Sequence, residues 1–274
     1  MKHIFIGANG SIAQRHIRNL KLLRPDAEIV TVDIAGKADY DNISNVDIEG
    51  NCVYVCTPME LHIEHMNVAI YQEAHAIFIE KPLCAPSHRA EFIWRTVDRI
   101  PCVAVGYNHR FHPLFRELKS RSQDISYLHI YGTENLIGKY GPTALGTMAS
   151  HSIDLALWLL GPVAQVQLED YGSYCFIGLR HENKAASHIF ASMKSSFRVA
   201  TCTVLHLPVE DIEAVYRGEK TKYSPGREHY FVEPDNEMYL SEMKQWLEYI
   251  ETGNIGNLCS FEDALSVQRV MAGN

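Results

Sequence analysis

The chain has 274 residues, 46% hydrophobic and 21% charged, with 33 acidic side chains against 25 basic ones. At about 150 residues per domain, this length gives one large domain or two modest ones with a substantial core, and the composition excludes wholesale disorder. A net charge of −8 argues against nucleic acid or an anionic membrane surface as the main partner, although one local basic pocket for an anionic ligand remains compatible with it.

In chain order, His3–Ile6 reads as a buried strand and Ser11–Leu23 as a helix. Strands follow at residues 28–33, 52–56, 76–79 and 102–106, and helices at 61–73 and 87–99, the second with Ser87 as N-cap. Strands alternating with helices predict right-handed β-α-β units and a parallel sheet covered on both faces.

The pattern then changes. Residues 113–120 read as a helix, 125–132 as a strand, 138–146 as a Gly/Pro-rich loop and 151–160 as a helix stopped by Gly161-Pro162. Segments 163–171, 173–180, 186–193, 198–206 and 211–217 read as strands without intervening helices, which predicts a mostly antiparallel sheet. Helices at 237–250 and 261–271 close the chain. The fold class predicted is α/β: a doubly wound Rossmann-type parallel sheet over 1–120, then an α+β domain over 121–274 for substrate binding and oligomerisation. An open antiparallel sheet exposes one face unless a partner covers it, so a homodimer or homotetramer is expected.

No apolar run reaches 18 residues, and the N-terminal apolar stretch is too short for a signal peptide, so a cytoplasmic location is expected. Seven cysteines, at 52, 56, 84, 102, 175, 202 and 259, contain no Cys-x-x-Cys and read as reduced, mostly buried thiols. The spacings of His62, His65, His75, His109, His112 and His151 match no zinc signature, so no metal is expected.

Gly7-Ala8-Asn9-Gly10-Ser11-Ile12-Ala13 follows the first strand and opens a helix. Gly7 permits the turn, Gly10 removes a side chain where a pyrophosphate approaches, and Ala13 is small enough for close helix packing. The helix N-terminus offers N–H groups and a positive dipole end, so Gly7, Asn9, Gly10, Ser11 and Ile12 are candidate dinucleotide contacts. Asp33 ends the second strand, where an acidic side chain receives two ribose hydroxyls and repels a 2′-phosphate. This favours NAD(H) over NADP(H), and Lys37 works against that preference. A tight β-α turn without ligand is the competing explanation.

Three further segments carry a family likeness. Cys56-Thr57-Pro58 with Leu61-His62, Glu80-Lys81-Pro82-Leu83, and Ser150-His151-Ser152-Ile153-Asp154 running to Trp158-Leu159-Leu160-Gly161 join the glycine turn and Gln14-Arg15-His16. With the closing run from Cys259 to Leu265, the chain resembles the Gfo/Idh/MocA family, the glucose–fructose oxidoreductase and inositol dehydrogenase group. The resemblance implies a Rossmann domain, a second domain with an open sheet, and hydride transfer between a nicotinamide and a sugar, polyol or nucleotide-sugar-like substrate. It implies that Lys81 lies beside nicotinamide and substrate hydroxyl, that His151 is the active-site histidine, and that Thr57, Pro58 and His62 lie near the nicotinamide half. Glu80 joins the cofactor-binding candidates, with orientation of Lys81 or capping of a helix as its alternatives. One departure stands out: many members carry an aspartate three or four residues before the histidine, where this chain has Met148 and Thr147. The chain is also short for the family, so trimming of the C-terminal sheet or tail is expected.

Oxidising a secondary alcohol removes a hydride from carbon and a proton from oxygen. Lys81 can stabilise the alkoxide, and His151, with a reference pKa near 6.5, can take the proton. Asn108 and Arg110 follow the fifth strand, at the sheet edge where ligands sit in open α/β folds, so both are candidate substrate contacts together with Lys81, His151 and Asp154. For Arg110 the alternative is an interdomain salt bridge; for Asp154, support of His151 or of a backbone group. Lys139 and Tyr140 are further loop candidates, and Trp158 reads as core. Two other functions stay open: a non-catalytic dinucleotide-binding or regulatory protein, and a reductase of a tetrapyrrole or imine.

Overall fold

The computed structural model describes residues 1–88, 94–136, 143–195, 199–206, 210–218 and 236–274. Lys139 and Tyr140 lie outside these residues, as do 89–93 of the expected helix 87–99. Among the described residues, twelve strands form two six-stranded sheets.

By chain proximity the molecule divides into one unit of Met1–Asn108 with Asn236–Leu265 and a second of His109–Asp235 with Ser266–Asn274. The first contains β1 (His3–Ile6), α1 (Ser11–Leu23), β2 (Ile29–Val32), β3 (Cys52–Val55), α2 (His62–Tyr71), β4 (Ala76–Glu80), α3 (Trp94–Val97) and β5 (Cys102–Gly106). Strands β1, β3, β4 and β5 are almost continuously apolar and buried, as strands covered on both faces must be. The parallel order runs β2-β1-β3-β4-β5, so the winding reverses beside β1. Ligands bind outside the carboxyl ends of the strands at such a reversal. Helix α1 buries Ala13, His16 and Leu20, spaced three and four apart on one face.

The return of 236–265 to the first unit differs from a single boundary near 120. Two features explain it. Helix α6 (Glu237–Thr252) packs on α1, where Asn19 and Asn236 exchange amide hydrogen bonds at 3.3 and 2.8 Å. It also inserts fully buried Trp246 against Phe78, with ring centroids 5.5 Å apart. The two-residue β12 (Cys259–Ser260) then adds antiparallel to β5.

The second unit holds α4 (Pro113–Ser120), β6 (Ile125–Thr133), α5 (Ser150–Leu160), β7 (Val163–Asp170), β8 (Tyr174–His181), β9 (Ala186–Ser192), β10 (Val199–His206) and β11 (Glu210–Gly218). Helix α7 (Phe261–Met271) ends the chain and straddles the division. The sheet order is β11-β10-β6-β9-β8-β7, antiparallel except for the parallel β6–β9 pair. Leu128, Ile130, Ile189 and Ala191 are buried on the side of α5, which packs on β6 and β9. Tyr127, His129, Tyr131 and His188 alternate onto the other face, joined by exposed Tyr174 and Phe176. All seven cysteines are buried, and none forms a disulfide. No described helix is long and apolar enough to cross a membrane.

Candidate active site

The glycine turn is shaped by its neighbours. Gly7 has φ +78°, and a Cβ there would lie 2.8 Å from the Cys56 carbonyl oxygen and 3.1 Å from Thr57 Cγ2. Only glycine satisfies both limits. Gly10 caps α1 with ordinary φ −65° and no side-chain hydrogen bond, and the first turn carries no acid. The positive helix end thus keeps backbone N–H groups for an anion, and the cradle fits a dinucleotide pyrophosphate. Asp33 fixes the rim: Oδ2 accepts from Asn9 N and Oδ1 from Ala35 N, each at 2.8 Å, while Asn9 Nδ2 donates to Ala35 O. A carboxylate keeps further lone pairs for ribose hydroxyls. Asn9, Gly10, Ser11 and Lys37 are exposed, Ile12 half-buried.

From Cys56-Thr57 the contacts continue to Lys81. Buried His62 has Nε2 2.8 Å from Thr57 O and Nδ1 2.8 Å from Pro82 O. Both neighbours are carbonyls, so the neutral ring donates to one of them and rests against the other, which places His62 as a brace between the two loops. Burial lowers its pKa below 6.5 against the opposing pull of those carbonyls. Thr57 Oγ1 lies 3.1 Å from His65 Nδ1, and Pro58 leads into the short turn Met59–Leu61. Lys81 is half-buried and precedes a cis proline. Burial lowers its pKa from 10.5, and the Glu80 carboxylate opposes that shift.

Glu80 points inward. Its Oε1 accepts from His16 Nε2 at 2.6 Å, with His16 fully buried, and its Oε2 accepts from Lys81 N at 3.3 Å. Gly106 makes room: a Cβ there would meet Oε1 at 3.2 Å. Glu80 is therefore buried between His16 and the Lys81 backbone N–H. Asn108 is also buried, hydrogen-bonded to Tyr239, whose pKa burial pushes up to about 12. Arg15 sits 4.4 Å over the Tyr239 ring.

In the second unit, a π-helical turn, Leu145–Ala149, leads into α5. It begins at the end of the segment read as a Gly/Pro-rich loop, and such turns favour functional sites. Thr147 and Met148 sit on it, and half-buried His151 follows in the first turn of α5. The His151 ring stacks on that of His109, with centroids 4.1 Å apart and planes at 22°. Arg110 and Asp154, read as candidate substrate contacts, form a buried pair within this unit. Arg110 Nε lies 2.9 Å from Oδ2 and 3.1 Å from Oδ1, and Nη2 lies 2.6 Å from Oδ1. Trp158 is half-buried, not core: its ring lies 5.6 Å from the Arg110 guanidinium and 5.3 Å from the Lys119 ammonium.

The carboxyl edge of the first sheet thus brings Gly7, Asp33, Thr57, His62 and Lys81 into one chain of contacts. His151 belongs to the second unit. The sequence reading missed the brace by His62, the support of Glu80 by His16, and the His109 stack. His16, three residues beyond Ala13 on the same helix face, was the one signal available.

This is a Rossmann-type parallel sheet followed by a second, mixed sheet. The family model described as the oxidoreductase family with an NAD-binding Rossmann fold matches residues 31–109. Over that segment the chain is similar to the Gfo/Idh/MocA oxidoreductases. Solved structures share the fold along the whole chain. UDP-N-acetylglucosamine 3-dehydrogenase GnnA from Acidithiobacillus ferrooxidans is 15% identical at TM-score 0.78, over 99% of this chain and 95% of that one. The scyllo-inositol dehydrogenase from Lactobacillus casei is 15% identical at TM-score 0.77, over 100% and 94%. The WlbA (WbpB) dehydrogenase from Thermus thermophilus, in complex with NAD and α-ketoglutarate, is 17% identical at TM-score 0.72, over 99% and 94%. No curated protein matches in sequence.

Proposed function

We propose that the protein is an NAD(H)-dependent dehydrogenase of a sugar, polyol or nucleotide-sugar-like substrate, with Lys81 and His151 handling the proton. The carrying observation is the linkage inside the first unit: the glycine turn abuts Cys56-Thr57, and His62 ties Thr57 to Pro82, next to Lys81. Gly7, Asn9, Gly10, Ser11 and Ile12 hold the pyrophosphate, and Asp33 takes the ribose. The carboxylate of Asp33, held on two backbone N–H groups, supports the preference for NAD(H). The solved dehydrogenases of UDP-N-acetylglucosamine and scyllo-inositol support the substrate class through shared fold.

A bound nicotinamide supplies the hydride acceptor in oxidation and the donor in reduction. Lys81 donates a hydrogen bond to the substrate hydroxyl and stabilises the alkoxide as its proton leaves. Its lowered pKa makes its ammonium a better proton donor in the reductive direction. His151 accepts the hydroxyl proton and returns it in reverse.

The open sheet face carrying Tyr131, Tyr174, Phe176 and Phe190 is proposed as a contact between copies of the chain, in a homodimer or homotetramer. Its support is aromatic: Tyr131 stacks on Phe190 at 5.1 Å, Phe176 lies 4.8 Å from Phe190, and Phe176 is 47% exposed. Sedimentation as a monomer refutes this.

Lys81→Ala tests the chemistry. Turnover falls by about 10²–10⁴-fold, while NADH affinity, read by fluorescence, stays within about twofold. Unchanged turnover refutes the role, and no binding of NADH or NADPH refutes the reading as a whole.

A further inference from the structure

We infer that the first unit carries a second binding site, a cavity of about 360 Å³ at the amino edge of its sheet, shaped for an uncharged molecule of one or two fused rings that presents a hydrogen-bond acceptor to His3. The site is separate from the glycine turn and stands whether or not the chain is a dehydrogenase.

The cavity is lined by His3, Arg24, Pro25, Ala27, Leu247 and Ile250, all of the first unit. His3 opens β1 and Gly7 follows its last residue, so the cavity and the glycine turn lie at opposite edges of the sheet. The walls are the segment after α1 and the last turn of α6, tied together by the Arg24–Glu251 ion pair at 2.5 Å. Pro25, Ala27, Leu247 and Ile250 offer apolar surface for a ring to bury. The volume stands at the small end of ligand sites, which suits one or two rings and not a dinucleotide.

The polar group is His3, which is only 6% exposed. Its Nδ1 lies 3.0 Å from the hydroxyl of fully buried Tyr54 on β3. That hydroxyl has one proton, and its other neighbour, Met243 Sδ, is a weak acceptor 4.0 Å away, so the proton goes to Nδ1. The imidazole is neutral, since burial lowers its pKa to about 4, and its own proton therefore stands on Nε2. Among the described residues Nε2 makes no hydrogen bond. A buried ring thus brings an N–H to the cavity it lines, and a donor removed from water needs an acceptor there.

Charge narrows the ligand further. At the rim, Arg24 and the Met1 ammonium are balanced by Asp26 and Glu251. Both α1 and α6 end here, so their negative dipole ends also disfavour an anion. The acceptor is therefore a heteroaromatic nitrogen or a carbonyl oxygen, not a carboxylate or phosphate.

Quinoline and indole are matched two-ring probes for the full chain. At neutral pH both are uncharged; quinoline offers an acceptor and indole a donor. In an NMR titration that follows histidine rings and methyl groups, quinoline saturates with a Kd of about 1 mM and moves His3, Leu247 and Ile250 together. Indole binds about three- to tenfold more weakly. His3→Phe keeps a ring, removes the donor and brings quinoline down to the affinity of indole. Ile250→Trp, at a half-buried position, fills the cavity and removes binding of both probes; it carries the test should His3→Phe not fold. Shifts that do not saturate, that leave His3 unmoved, that are equal for the two probes in the wild type, or that keep the same Kd in Ile250→Trp overturn the proposal.

Discussion

Each unit buries one carboxylate next to a residue proposed to move a proton, and the two carboxylates have different partners. In the first unit Glu80, behind Lys81, is held by His16 at 2.6 Å. In the second Asp154, one turn from His151, is held by Arg110, also at 2.6 Å and through two nitrogens. A guanidinium keeps its charge at every accessible pH and matches a carboxylate bidentately, so the Arg110–Asp154 pair is a lock. His16 meets Glu80 through one ring nitrogen alone, so that contact is single where the Arg110–Asp154 pair is multidentate.

The largest effect expected from breaking this contrast is in the second unit. Asp154→Ala leaves the Arg110 charge buried and lowers the unfolding free energy by about 3–5 kcal/mol, read by urea denaturation. Arg110→Met with Asp154→Leu removes both charges and recovers most of that loss, since a paired buried charge adds little over apolar packing. A double variant as unstable as Asp154→Ala would show a function for the pair beyond neutralisation.

A smaller effect is expected in the first unit. Glu80→Gln keeps the shape and removes the charge, with a cost to stability of about 1–3 kcal/mol. Because the carboxylate opposes the lowering of the Lys81 pKa, the variant also moves the alkaline limb of the rate profile to lower pH. An alkaline limb in the wild-type position breaks the link from Glu80 to Lys81.

The smallest effect concerns pH and stability. Burial lowers the pKa of both His3 and His112 to about 4. Each is neutral in the folded chain and protonates near 6.5 when unfolded. Their contribution is therefore full above pH 6.5, declines as pH falls, and is gone below about 4. Urea midpoints drop between pH 7 and pH 5. His112→Asn, which keeps an N-cap acceptor for Leu114 N, makes that drop shallower.

The elements with strong local signals were legible. Helix α1 begins at Ser11 because Gly10 caps it and ends at Leu23 before Arg24-Pro25, and its bounds match the sequence pattern. The alternation in β6 and β8 likewise marked the covered and open faces. Strand β12 was not legible, since two residues carry no periodicity and Cys259-Ser260 is a strand only because β5 offers it an edge. At the site, Gly7, Asp33 and Lys81 could be read from local pattern. Arg110 and Asp154, 44 positions apart, show nothing locally of their pairing, and both read in sequence as available for substrate. A polar residue at a strand end looks alike in sequence whether it points out to a ligand or inward, as Glu80 does.

The crowding at Gly7 bears on how such chains diverge. With Cys56 O 2.8 Å from where a methyl would sit, the backbone itself demands glycine at 7, whatever the protein binds. Gly10, with an ordinary φ and Gly7 O at 3.1 Å as its nearest obstacle, is held by the scaffold far less tightly. A descendant that no longer held a ligand at this turn would be free to drift at the tenth residue while the seventh stood still, so the second glycine is the one whose survival would record continued use.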